Sequence, residues 1–133
     1  MEMIIEFPGG AKVHAHFGPY TVQTDQPPPG GEGTAPTPFE LFLASLGTCA
    51  GIYVLNFCRK RGISTEGIRI LQRSHSNPET GMVEKVALEI QIPPSFPKEY
   101  YSALVHSAEL CKVKKTLEQP PPFEVVTKEI QAS

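Results

Sequence analysis

The first part of the chain contains short runs rich in β-branched and aromatic residues, which predict β-strands. The strands are expected at Met3–Phe7, Lys12–Phe17 and Tyr20–Thr24, and segments rich in glycine and proline separate them. The segment Gln26–Pro38 follows, with five prolines and three glycines in 13 residues. We interpret it as a long surface loop, and such loops in compact domains often carry function.

A single long apolar segment follows the loop. Leu41–Cys58 contains 18 residues without a formal charge, and three basic residues come directly after it. This pattern predicts a helix from about Pro38 to Arg61, which Gly62 ends. Length and composition alone would also suit a membrane span. Small and polar residues interrupt the segment, however, and strands flank it, so we interpret it as a buried central helix.

The second half of the chain predicts a hairpin, a helix and a last strand. Gly67–Arg73 and Met82–Ile92 are expected to pair across a turn, because apolar and polar residues alternate in the second of them. Helical spacing predicts a helix over Pro97–Leu117, with Cys111 on its inner face. Phe123–Ile130 alternates again and predicts a closing strand.

This order of elements predicts one α+β domain that spans residues 1–133. The central helix is apolar on every side, so one small sheet and one amphipathic helix cannot cover it. We therefore expect a second copy of the chain to cover the rest, which predicts a homodimer.

Charge and composition narrow the range of partners. The formal net charge is -2 and the sequence pI is about 6.1, without a basic stripe, so neither a nucleic acid nor an anionic membrane is an expected partner. The N-terminus carries acids where a signal peptide needs cations, which indicates a cytoplasmic protein. In that reducing compartment, the three cysteines are expected to be catalytic, metal-binding or buried thiols.

The cysteines differ in position along the predicted helices. Cys58 follows Cys49 by nine residues, which places it about 180° around the helix, so these two thiols cannot bridge. Tertiary packing could bring Cys111 to Cys49, although a cysteine in a helix is more often an inert core residue. No CxxC motif occurs, and His14 with His16 on a strand is a weak metal pair. We expect neither a metal nor a cofactor.

Two segments carry a resemblance to a known family. Pro38–Cys49 (PFELFLASLGTC) and Ala108–Lys115 (AELCKVKK) resemble the two cysteine motifs of the OsmC/Ohr family. The resemblance implies an OsmC-like α+β fold, with antiparallel strands around the long central helix, and an intertwined dimer. It also implies a thiol-dependent peroxidase for organic hydroperoxides, in which a Cys49 sulfenate condenses with Cys111 to a disulfide that a dithiol reductant reopens.

The chain departs from the family pattern at two charged positions. Family peroxidases place a glutamate directly after the proline, where this chain has Phe39 and then Glu40. They also use an arginine from the N-terminal strands, whereas Lys12 is the only lysine or arginine in the first 58 residues of this chain. We expect Glu40 and Lys12 to serve as the catalytic acid and cation. Lys112 and a residue of a partner chain are the alternative cations.

Two other functions remain compatible with the sequence, because a fold does not fix a function. The first is a different thiol-based role, such as a redox sensor or a persulfide carrier. The second is a non-enzymatic binding module that holds a small apolar ligand at a dimer interface.

Overall fold

A computed structural model describes residues 1–131 of the chain. Its elements, in order, are β1 (Ile4–Gly9), β2 (Lys12–Phe17), β3 (Tyr20–Thr24), α1 (Pro38–Lys60), β4 (Arg69–Ser76), β5 (Val83–Gln91), a 3₁₀ turn (Lys98–Tyr100), α2 (Tyr101–Ala108) and α3 (Lys112–Glu118). The predicted α+β architecture with antiparallel strands and one long helix is confirmed.

The described strands form two antiparallel sheets. In the first, β2 lies between β1 and β3, and Phe17 pairs with Tyr20 across a tight turn. In the second, β4 pairs with β5 from Arg69, opposite Gln91, up to Ser76. The predicted hairpin is therefore confirmed, although its first strand runs three residues beyond the expected end at Arg73.

Helix α1 begins and ends where its sequence signals place it. At the start, Thr37 and Glu40 form a capping box, in which each side chain accepts a hydrogen bond from the backbone N–H of the other residue. At the end, Gly62 adopts a φ of 66°, a conformation that favours glycine and terminates helices. The predicted boundaries of α1 are confirmed to within one residue.

One stripe of α1 faces the core of the chain. The buried residues of this stripe are Leu46, Ala50, Val54, Phe57 and Cys58. The last three pack with Phe96 and Leu104 into the main apolar cluster. The helix is long and apolar enough to span a membrane by composition, yet its stripe is a core face of this fold. Away from the stripe, Phe39 and Ile52 remain about half exposed in the single chain.

The prediction of a single helix over Pro97–Leu117 is wrong. The segment divides into the 3₁₀ turn, α2 and α3, and the chain leaves helical geometry at Cys111, where φ is -48° and ψ is 124°. The extended backbone at Cys111 lets its side chain accept a hydrogen bond from Lys114 N and cap α3. Cys111 therefore lies at a break between helices and not on the inner face of a continuous one.

The strand expected over Phe123–Ile130 is also absent from the described residues. This segment has no regular structure, and its large apolar side chains are exposed, with Val125 94% accessible. A strand requires a neighbouring strand for its backbone hydrogen bonds, and the described strands of this chain do not provide one. The sequence of this segment alternates as in a strand, but no neighbouring strand pairs with it among the described residues.

The hairpin and α1 meet closely at Gly47. The Gln72 side chain of β4 donates a hydrogen bond from Nε2 to the Leu43 carbonyl oxygen at 2.8 Å. Its amide oxygen occupies the space where a Cβ atom on Gly47 would lie. The glycine two residues before Cys49 therefore serves a close approach between sheet and helix.

We expect Gly47→Ala to leave the free energy of unfolding almost unchanged in the wild-type background. A mid-helix alanine should gain about 1 kcal/mol over glycine, but its methyl group displaces the Gln72 amide and costs about the same. In a Gln72→Ala background, the same substitution should stabilise by about 1 kcal/mol. Urea denaturation of the four proteins measures this coupling.

Gly51→Ala is the matched control, because a Cβ on Gly51 meets only Ile70 Cδ1, at an ordinary contact distance of 4.0 Å. It should stabilise equally in both backgrounds. An equal effect of Gly47→Ala in both backgrounds would contradict the proposed contact.

Candidate active site

The structure brings Cys49 and Cys111 together. Hydrogen bonding from each cysteine shifts the pKa of the other, so the two side chains lie close together, and both cysteines are free thiols. Cys49 is partly exposed on α1, whereas Cys111 is only 3% accessible. Two of the four predicted site residues therefore meet, from positions 62 residues apart in the sequence.

Cys111 occupies its position through contacts on two sides. Its Sγ accepts a hydrogen bond from Lys114 N at 3.5 Å, and its thiol lies 3.9 Å from the Leu46 carbonyl oxygen of α1. The thiol carries one proton, so it can donate either to Leu46 or to the Cys49 sulfur. Ionisation of Cys49 strengthens the second acceptor, since hydrogen bonds to charged groups are the stronger ones.

The two thiols have opposite pKa shifts. Burial raises the pKa of Cys49, but hydrogen bonds from the Val113 N–H, the Cys111 thiol and the Lys112 N–H outweigh it, and with the Lys112 charge they hold the pKa below its usual value. Burial raises the pKa of Cys111, and hydrogen bonding and charge from Cys49 raise it further, against the opposing N–H groups of Lys114 and Val113. Cys49 is therefore the thiol of the pair that ionises more readily to the nucleophilic thiolate.

Cys58 lies apart from this pair. It is completely buried in the apolar cluster with Val54, Phe57 and Leu104. Burial raises the pKa of its thiol, which only the Arg61 charge opposes. The prediction that Cys49 and Cys58 point in different directions agrees with these positions.

The other two predicted site residues have different surroundings in the single chain. Glu40 closes the capping box at the start of α1, nine residues or about 13 Å along the helix axis from Cys49. Lys12 lies 3.5 Å from Glu32, and its charge acts on Asp25. Neither residue is placed beside the thiol pair within the described chain, so their catalytic roles stay predictions.

Asp25 organises the loop that leads to α1. Its buried carboxylate accepts hydrogen bonds from the hydroxyl and N–H of Thr34, at 2.6 and 3.0 Å, and from Gln26 N at 2.7 Å. The Thr34 hydroxyl has the largest effect, and together these bonds lower the pKa of Asp25 to about 2. Lys12 therefore belongs to a charged cluster that holds the loop.

An apolar groove leads away from Cys111 between α1, β5 and α3. Its inner part, about 200 Å³ in volume, contacts Cys111, and its outer part, about 310 Å³, reaches Phe39 at the start of α1. The residues that line both parts are Leu46, Val86 and Leu117. Lys114 contributes a cation to the inner part. An alkyl chain is the kind of ligand that these walls favour.

Among residues 1–131, no group of three histidine, cysteine, aspartate or glutamate side chains could hold a metal ion. The imidazole of His16 instead contacts Glu6 Oε2 at 3.1 Å and the Thr21 hydroxyl at 2.9 Å. This strand histidine is thus engaged in pairing across the sheet.

Sequence reasoning missed the backbone donors at the start of α3. A motif identifies side chains, whereas the N–H groups of Lys112 and Val113 act on Cys49 only because the helix restarts after Cys111. The only signal for this region in the sequence was Lys112, which the sequence offered as an alternative cation.

Comparison with known proteins assigns the family. The family model described as OsmC-like protein matches residues 31–126, so the chain belongs to the OsmC-like family. No curated protein matches the chain in sequence.

Solved structures share the fold. A protein of Psychrobacter arcticus superposes with a TM-score of 0.72 at 20% identity, covering 86% of this chain and 85% of its own. An organic hydroperoxide resistance protein OsmC of Legionella pneumophila gives 0.58 at 26% identity, with 88% and 89% covered. The organic hydroperoxide resistance protein OhrB of Bacillus subtilis gives 0.52 at 18% identity, with 90% and 93% covered.

We expect Lys112→Met to slow alkylation of Cys49 at neutral pH by about two- to fivefold, because an exposed charge supplies a fraction of a kcal/mol. Lys112→Pro should slow it by about tenfold, since it also removes an N–H donor. Proline fits there, because position 112 is the first residue of α3 and Cys111 is extended. Iodoacetamide kinetics against pH measure both effects.

Lys12→Met and Lys115→Met each remove the same net charge and serve as comparisons. If Lys12→Met slows the reaction and Lys112→Met does not, the cation comes from the N-terminal sheet, as the sequence first indicated.

Proposed function

We propose that the protein is a thiol-dependent peroxidase that reduces organic hydroperoxides through Cys49 and Cys111. The observation that carries the proposal is the closeness of two thiols that shift each other's pKa, with the pKa of the more exposed Cys49 lowered and that of the buried Cys111 raised. A nucleophilic thiolate beside a second, buried thiol is the arrangement that peroxide reduction with disulfide formation requires.

The reaction has two steps. The Cys49 thiolate attacks the outer oxygen of the hydroperoxide, the O–O bond breaks, and the alkoxide leaves and takes a proton to become the alcohol. Cys49 is then a sulfenic acid. The Cys111 thiolate attacks its sulfur, an S–S bond forms, and hydroxide leaves as water after protonation.

The pKa values favour this order of steps. The charge of Cys49 is one cause that keeps the pKa of Cys111 raised. A sulfenic acid is largely neutral, so that cause disappears once Cys49 has reacted, and Cys111 ionises more easily when it is needed. Oxidation of Cys49 therefore removes one cause of the raised Cys111 pKa, while burial, the largest cause, remains.

The apolar groove supports an organic substrate over hydrogen peroxide. Its walls lead from Cys111 to Phe39 and are mostly aliphatic or aromatic, and burial of each methylene contributes about 0.8 kcal/mol. The similar proteins of Legionella pneumophila and Bacillus subtilis are described as organic hydroperoxide resistance proteins. We propose that a dithiol reductant then reopens the disulfide by exchange, in the reducing cytoplasm.

We expect one equivalent of an alkyl hydroperoxide such as cumene hydroperoxide to convert the protein to a Cys49–Cys111 disulfide. Cys58 should remain reduced, because it is buried in the apolar cluster. Peptide mapping after alkylation identifies the linkage, and stopped-flow mixing gives the rate of hydroperoxide loss.

Cys49→Ser should abolish hydroperoxide consumption, whereas Cys58→Ala should keep the wild-type rate as the matched control. Cys111→Ser should still form the sulfenic acid, which a dimedone reagent detects. If Cys49 of the wild-type protein did not react with the hydroperoxide, the peroxidase proposal would be wrong and another thiol-based role would be favoured.

We also propose that two copies associate. β1 is exposed along its whole length, with Phe7 82% accessible, and the apolar segment Phe123–Ile130 has no strand beside it among the described residues. Contiguous exposed apolar surface of this kind marks an association site. A second chain would cover it and would supply the pairing that the alternating C-terminal pattern requires.

Sedimentation equilibrium at micromolar concentration should therefore give twice the 14.6 kDa mass of the chain. Phe7→Asp should weaken the association, because a charge on an apolar interface is costly. A wild-type monomer under these conditions would contradict the dimer.

A further inference from the structure

Helix α3 depends on Cys111 for its position. It has seven residues, none of them buried, and its N-terminal cap is the Cys111 sulfur. A helix this short is not stable by itself, so its contacts with the rest of the chain must hold it. The buried Cys111, which touches Lys114 N and the Leu46 carbonyl, is the firmest of these contacts.

Disulfide formation would use the same sulfur. The bond would draw Cys111 Sγ to about 2.05 Å from Cys49 Sγ and so shift it from the position in which it accepts the hydrogen bond from Lys114 N. Cys111 would also lose its proton, so it could no longer donate to the Leu46 carbonyl. One oxidation event would therefore remove both interactions that fix the start of α3.

The consequence extends to the apolar groove. Leu117 of α3 lines the inner and outer parts of the groove, opposite Leu46 and Val86, and it is half exposed, so few other contacts hold it. A change in α3 would therefore change the groove wall.

We propose that the Cys49–Cys111 disulfide uncaps α3 and displaces Leu117, so that the groove is closed around an alkyl chain in the reduced protein and open in the disulfide form. This inference rests on the proposed function only for the pairing of the two cysteines. This displacement would link the redox state of the two cysteines to the affinity of the groove. The reduced form would bind the hydroperoxide, and the disulfide form would release the alcohol.

Hydrogen–deuterium exchange of the full-length protein, reduced or oxidised with diamide, tests the proposal. Diamide takes two hydrogens from the thiol pair and becomes a hydrazine, so it forms the disulfide without any peroxidase activity. We expect amides of residues 114–118 to exchange at least fivefold faster after oxidation, while the core of α1 is unchanged. Equal or slower exchange in α3, or diamide forming no Cys49–Cys111 bond, would overturn the proposal.

Two variants at one position separate the cap from the disulfide. Cys111→Ser keeps an N-cap oxygen but cannot form the bond, so its α3 should stay protected with or without diamide. Cys111→Ala has no cap, so its α3 should exchange rapidly even without oxidant. Slow exchange in Cys111→Ala would show that the cap does not hold α3 and would overturn the inference.

Binding of 1-decanol to the reduced and disulfide forms measures the change in the groove. We expect 1-decanol to bind the disulfide form at least threefold more weakly than the reduced form, and equal affinities would count against the proposal. If hydroperoxides do not react but diamide frees α3, the proposed function fails and this inference stands. If hydroperoxides form the disulfide and α3 stays protected, this inference fails alone.

Discussion

The contact between Cys111 and α1 is the interaction on which the candidate site depends. The buried Cys111 sulfur lies against the Leu46 carbonyl and caps α3 through Lys114 N. That placement also aims the first N–H groups of α3 at Cys49. Burial places Cys111 against α1, and its two hydrogen bonds, although each is weak because sulfur is a weak hydrogen-bonding partner, orient it at the start of α3.

The backbone supplies much of the polarity that the sequence lacks near Cys49. A cysteine in an apolar helix should have a raised pKa, and the N-terminal strands offer only Lys12 as a cation. In the structure, Lys12 belongs to the cluster of Asp25 and Glu32, while peptide N–H groups act on Cys49 more strongly than the charge of Lys112. A thiolate can therefore be stabilised without the arginine that family peroxidases use.

The sequence was sufficient for elements whose signals are local. The start of α1 was expected at about Pro38, and its end follows from Gly62. The hairpin follows from alternation across a turn. The break at Cys111 could not be predicted, since neither proline nor glycine marks it and the residue that caps α3 is a cysteine, which is not a usual cap.

The C-terminal prediction failed for a different reason. Alternation over Phe123–Ile130 describes which side chains prefer burial, but a strand also needs a neighbour, and that neighbour need not belong to the same chain. Likewise, the pairing of Cys49 with Cys111 followed from a family resemblance and not from spacing. Contacts between distant segments lie beyond what a local pattern can specify.

The coupling between the two thiols affects how the chemistry of the pair can be measured. Because Cys111 can donate to Leu46 or to Cys49, and because each thiol shifts the pKa of the other, the two sulfurs titrate as one system. The midpoints of a titration curve then belong to the pair as a whole. In a variant that lacks one cysteine, the remaining thiol titrates without its partner. The pKa measured for that variant therefore differs from the pKa of the same thiol in the intact protein.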